Sequence, residues 1–92
     1  MLYFNYNGKI LKEHTPIAGP DNRGLRYGDG LFETIKYKDA QLVLPDEHFA
    51  RLWKGLQLLQ FEIPKLFTAE MLQSSITQLV QKNNLATARI RV

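Results

Sequence analysis

Residues Leu31 to Tyr37 alternate, with Leu31, Glu33, Ile35 and Tyr37 on one side and Phe32, Thr34 and Lys36 on the other. A period of two marks a strand with one covered face. Shortly downstream Phe49, Leu52, Trp53, Leu56 and Leu59 recur at helical spacing and define one apolar stripe. A chain that changes period so abruptly must lay a helix over a sheet. The stripe reads as core and not as a cofactor box. Glu33 shares its face with three apolar side chains. An unpaired carboxylate in such a place is costly, so Glu33 is either paired or near an opening.

The other segments follow the same logic. Leu2 to Tyr6 is an aromatic-rich strand, Asn7-Gly8 a type I′ turn and Lys9 to Lys12 the return strand. This hairpin is expected at one edge of the sheet, with a structural role. Glu13 to Asn22 holds Pro16, Gly19, Pro20 and Asp21 and reads as a loop. Lys38 to Gln41 is a turn and Leu42 to Leu44 its return strand. Pro45 ends that strand, and Asp46 is the expected N-cap of the first helix. Gly55 costs that helix about 1 kcal/mol against Ala but permits close packing on the sheet.

Ile63-Pro64 breaks the pattern. Thr68 caps a second helix, with Phe67 and Leu72 as a hydrophobic staple. Its buried stripe is Leu72, Ile76, Leu79 and Val80, and Asn83-Asn84 is a left-handed stop. Ala88 to Val92 alternates as a last strand. The fold class is α+β: an antiparallel sheet of hairpins with two helices packed on one face, in a single domain spanning residues 1–92.

Composition narrows the function. The 92 residues are 45% apolar and 23% charged, enough for one modest core. The net charge of +3 is spread from Lys9 to Arg91 without a dense run, which argues against nucleic acid as a partner. The absence of cysteine excludes disulfides, thiolate metal sites and Cys nucleophiles. His14 and His48 have no third ligand at metal-binding spacing. No targeting h-region and no membrane-length apolar run is visible, so a soluble cytoplasmic protein is expected.

Two stretches carry chemistry. Arg23 to Lys36 sets Gly24, Gly28 and Gly30 among charged and aromatic residues. Bare backbone beside the Tyr27 hydroxyl suits a ligand pocket, but Gly-Asp-Gly is also common chemistry for an ordinary tight turn, which residue types alone favour. Arg51 lies early in the first helix, and its planar fork matches phosphate bidentately. The bland alternative is a surface arginine paired with Glu47 at i, i+4. His48, three residues earlier, lies near the same helix face and can hold the arginine.

Tyr27-Gly28, Phe32-Glu33 and Pro45-Asp46-Glu47-His48-Phe49-Ala50-Arg51-Leu52 together match two ordered motifs. These are an aromatic-Gly-x-x-x-Phe-Glu strand and a helix opening Glu-His-x-x-Arg-Leu. The chain thereby resembles the N-terminal part of the class IV aminotransferases, the fold-type IV pyridoxal-phosphate (PLP) enzymes. These include branched-chain aminotransferase, D-amino acid aminotransferase and aminodeoxychorismate lyase. The resemblance implies a small N-terminal domain, PLP as cofactor, an amino compound as substrate and a homodimeric parent.

It places Arg51 on the PLP phosphate and Tyr27 on the substrate side of the cofactor. Arg26 and Arg91 become candidates for a substrate carboxylate, Phe32 a packing residue, and Glu33 scaffold or pocket wall. No residue of this chain is nominated as catalytic. The family's lysine lies in a larger C-terminal domain, beyond the equivalent of Val92, and residues 1–92 alone are expected to be inactive. The strand that stops at Val92 is accordingly expected to be a cut. Gly28-Asp29-Gly30-Leu31-Phe32-Glu33-Thr34 looks most similar to aminodeoxychorismate lyase, which eliminates pyruvate to give p-aminobenzoate. Branched-chain or D-amino acid transamination is the alternative. A non-catalytic anion-binding or interaction module, and a structural domain with an apolar underside, are the readings from other classes.

Overall fold

The computed structural model describes residues 2–19 and 30–92. Two strands, β1 (Tyr3–Tyr6) and β2 (Lys9–Lys12), form an antiparallel hairpin with Tyr6 opposite Lys9. The two intervening residues, Asn7 at φ 52° and Gly8 at φ 88°, have the doubly positive φ of a type I′ turn. The side chain of Asn5 accepts from the Gly8 N–H at 2.9 Å.

The second sheet has the order β4-β3-β5, with β3 at Thr34–Lys38, β4 at Gln41–Leu42 and β5 at Ala88–Arg91. β4 and β5 both pair antiparallel with β3. Asp39 and Ala40, at φ 52° and 64°, make another two-residue turn of positive φ, so the return strand starts at Gln41, one residue earlier than expected. It ends at Leu42, short of the expected Leu44, which is already left-handed before the helix. The first hairpin is not an edge of this sheet, as its sequence suggested, but a separate two-stranded sheet. It is fastened to a helix instead. Asn83 accepts from the Tyr3 N–H at 2.7 Å and donates to the Tyr3 carbonyl at 3.1 Å.

Two helices follow β4: α1 (Pro45–Leu58) and α2 (Ala69–Lys82). Asp46 is not the cap of α1. Pro45 is already helical, preceded by Leu44 in the left-handed region with no side-chain cap. Proline suits this first position because its missing N–H would have no helical partner, and Asp46 and Glu47 then complement the helix dipole. Thr68 caps α2 as expected, accepting from the Met71 N–H at 3.2 Å. Asn84 supplies the left-handed stop at φ 54°.

The period-two face is the covered one. Ile35, Tyr37 and Leu42 from the sheet meet Phe49 and Leu52 of α1 and Leu72, Ile76 and Val80 of α2 in one core. Both helices therefore sit on the same side of β4-β3-β5. Trp53 stacks on Phe67 with centroids 5.2 Å apart, tying α1 to the start of α2. Gly55 is where Leu31 approaches the helix: a Cβ there would lie 2.5 Å from Leu31 Cδ1 and would make that side chain shift. Leu59 falls beyond the end of α1 and is exposed, so the buried stripe is one turn shorter than its spacing implied. No helix among the described residues is long and apolar enough to cross a membrane.

Candidate functional site

Glu33 sits at the entrance to β3 with its backbone pinned on both sides. Its N–H donates to the Val92 carbonyl at 3.2 Å, and its carbonyl accepts from the Val92 N–H at 2.9 Å. Strand alternation turns the carboxylate toward the helices, where it is 9% exposed. It meets the first two turns of α1. Arg51 donates through Nε to Oε2 at 2.8 Å and through Nη2 to Oε1 at 2.7 Å, a forked pair. His48 Nδ1 lies 2.7 Å from Oε1. The i, i+3 spacing of His48 and Arg51 is what lets both reach one carboxylate.

The hydrogen bonds from Arg51 and then His48 hold the Glu33 carboxyl down to about 2, against the opposing effect of burial. The carboxylate is ionised and can only accept, so His48 Nδ1 carries the proton that joins them. The contact of 3.3 Å between Arg51 Nη2 and His48 Nδ1 is then two donors sharing one oxygen. Glu33 in turn raises the Arg51 pKa through the same bond. The arginine is neither buried nor paired with Glu47 on the helix surface: its side chain is 69% exposed and its fork is on Glu33. The paired alternative for Glu33 is the one realised.

Guanidinium has a second edge. The fork consumes Nε–H and one Nη2–H, leaving the two Nη1 hydrogens and the other Nη2–H directed away from Glu33. A cation fixed along one edge, with an open donor edge on the other, suits an oxyanion, a phosphate above all.

Tyr27 and Arg26 fall outside the described residues. Arg91 is opposite Thr34 on the outer face of the sheet, away from Glu33, with its guanidinium 4.8 Å from the Phe32 ring centroid. Phe32 is not a packing residue within this chain, being 63% exposed. Alternation put Phe32 and Glu33 on opposite faces, and the helices cover only that of Glu33. A cavity of about 640 Å³ opens between the first hairpin, α2 and β5. It is lined mainly by apolar groups such as Phe4, Leu72, Ile76 and Ile90, with Asn5, Ser75 and Arg91 among its polar members. The ionised cluster of Glu33, His48 and Arg51 lies outside that lining. No trio of His, Asp or Glu among the described residues could hold a metal ion.

The family model for amino-transferase class IV matches residues 30–92, which include all three residues of this cluster. The chain belongs to the class IV aminotransferases. It is 34% identical over 86 residues to a putative branched-chain-amino-acid aminotransferase of Methanocaldococcus jannaschii, covering 94% of this chain and 29% of that protein. Identity to a D-alanine aminotransferase of Bacillus licheniformis is 30%, over 85% of this chain and 27% of the relative. The PLP-bound structure of a hypothetical aminotransferase from Mycobacterium tuberculosis superposes with a TM-score of 0.76 at 25% identity. That match covers 91% of this chain and 30% of the solved one. The chain thus spans less than a third of the relatives it matches, and the α+β fold is that of the corresponding part of class IV aminotransferases.

The sequence pointed to Arg51 and the neighbouring His48 but not to the carboxylate they share, Glu33. The signal was present: a carboxylate on an apolar strand face needs partners, and the next helix offers two donors at i, i+3.

Proposed function

We propose that residues 1–92 form the small domain of a PLP-dependent aminotransferase in which Arg51 binds the cofactor phosphate. The observation that carries this is the oriented, exposed donor edge of Arg51, held by Glu33 within the stretch that matches the family model. The donor set fits the group, since a phosphate takes two parallel N–H bonds from such an edge. When bound, the cofactor would act as an electron sink for negative charge at the substrate Cα. Arg51 holds one end of it in place. Tyr27 borders the amino substrate, and Arg26 and Arg91 are the candidates for its carboxylate, Arg91 from the sheet face opposite that of Glu33.

In this reading the lysine nucleophile and the acid facing the ring nitrogen belong to a larger domain C-terminal to Val92. Residues 1–92 then bind cofactor weakly and do not turn over substrate alone. The working enzyme is a cytoplasmic homodimer. Transamination of a small amino acid is favoured by the names of the relatives, one branched-chain and one D-alanine enzyme. The Gly28–Thr34 run supports the second reading, pyruvate elimination from aminodeoxychorismate.

The test is a cofactor titration of the full-length protein, followed by absorbance. Arg51→Lys, which loses the fork, should weaken PLP binding at least tenfold, while Lys54→Ala on the same helix leaves it unchanged. Unaltered affinity in Arg51→Lys refutes the phosphate assignment. Product analysis separates the chemistries: an amino group passed to a keto acid marks transamination, and p-aminobenzoate with pyruvate marks elimination.

A further inference from the structure

We infer that Glu33, backed by His48, is the positioning residue for Arg51: it clamps the Nε–Nη2 edge of the guanidinium so that the Nη1–Nη2 edge meets the phosphate. This rests on the reading of Arg51 as the phosphate ligand and adds to it a division of labour between the two edges.

The clamp is rigid at its base. Both backbone groups of Glu33 are bonded to Val92, and the side chain leaves the strand on the covered face. Arg51 is the opposite, a long side chain that is 69% exposed and without the fork would sample many rotamers. Two bonds of 2.8 and 2.7 Å to one carboxylate fix both the position and the plane of its guanidinium. His48 donates to the same carboxylate at 2.7 Å, which holds Oε1 in the plane the arginine needs. Preorganising a binding group in this way lowers the ordering cost that each incoming ligand would otherwise meet.

A simple charge argument points the other way. Glu33 cancels the charge of Arg51, so removing the carboxylate should strengthen attraction for a phosphate dianion if charge alone mattered. The two views predict opposite signs.

The experiment uses full-length protein, with inorganic phosphate and PLP as probes and calorimetry as readout. Glu33→Gln removes the charge with the shape kept. Glu33→Asp keeps the charge but withdraws the carboxylate by one methylene. Positioning predicts that both weaken phosphate binding about tenfold. Tighter or unchanged binding in Glu33→Gln, or wild-type binding in Glu33→Asp, overturns the inference. A spectroscopic readout tests the same geometry without depending on those variants. In wild type, the Arg51 Nε–H resonance should stay slowly exchanging when phosphate is added, because the clamped edge is not used by the ligand. Loss of that protection on adding phosphate means that the ligand displaces Glu33, and the inference fails. If Arg51→Lys leaves phosphate affinity untouched, it is the phosphate assignment that falls, a result distinct from either of these.

Discussion

The Glu33–Arg51–His48 cluster should make stability depend on pH in a definite window. The Glu33 carboxyl lies at about 2 in the folded chain against an ordinary 4.5. A depressed carboxyl contributes stability that is fully present above 4.5 and is lost as pH falls through 2. Taken at face value the shift is worth about 3 kcal/mol. Arg51 is 69% exposed, so solvent screens the pair and a contribution on the order of 1 kcal/mol is the realistic one. Urea unfolding of wild type and Glu33→Gln, repeated from pH 7 to pH 2, reads this directly. The variant should be less stable by that amount at neutral pH. The gap should narrow between pH 4.5 and 2, because protonated Glu33 resembles glutamine in charge. Other carboxylates titrate in both proteins and cancel in the difference. Parallel stability curves across the whole range would refute the coupling, whatever the absolute stabilities.

Three further outcomes follow from the fold. Ala40→Gly should stabilise by about 0.5–1 kcal/mol, seen as a higher urea midpoint, because Ala40 sits at φ 64° in a turn that glycine occupies without steric penalty. Asn83→Ala removes both bonds to the Tyr3 backbone and one to the Leu79 carbonyl. It should cost about 2 kcal/mol and raise amide exchange at β1 before the α2 core is affected. Ile35→Ala, at the fully buried centre of β3, should cost about 2–5 kcal/mol, whereas Leu66→Ala, at 85% exposure, should leave the thermal midpoint within a degree or two.

The legible parts of the chain are those governed by local rules. Alternation from Leu31 to Tyr37 identified the covered face of β3, since side-chain direction follows from the pleat alone. The type I′ turn at Asn7-Gly8 and the Thr68 cap were visible because each depends on a few adjacent residues. Asp46 misled for a local reason too: Pro45 can itself open a helix, and both residues favour the same terminus. The Arg51 motif could be read as a pattern, but the fork on Glu33 joins residues eighteen apart, and no local rule specifies it.

What the sequence determined by itself was the period of each segment, and with it the elements, their order and the apolar faces that must meet. What only the tertiary structure decided was which polar groups those meetings bring together. Packing α1 over β3 puts Arg51 and His48 on the Glu33 carboxylate, and packing α2 beside the hairpin puts Asn83 on the Tyr3 backbone. Burial is non-directional and follows composition along the chain, whereas a hydrogen bond needs its partner within 3 Å or so and at the right angle. That geometry exists only once the layers have closed.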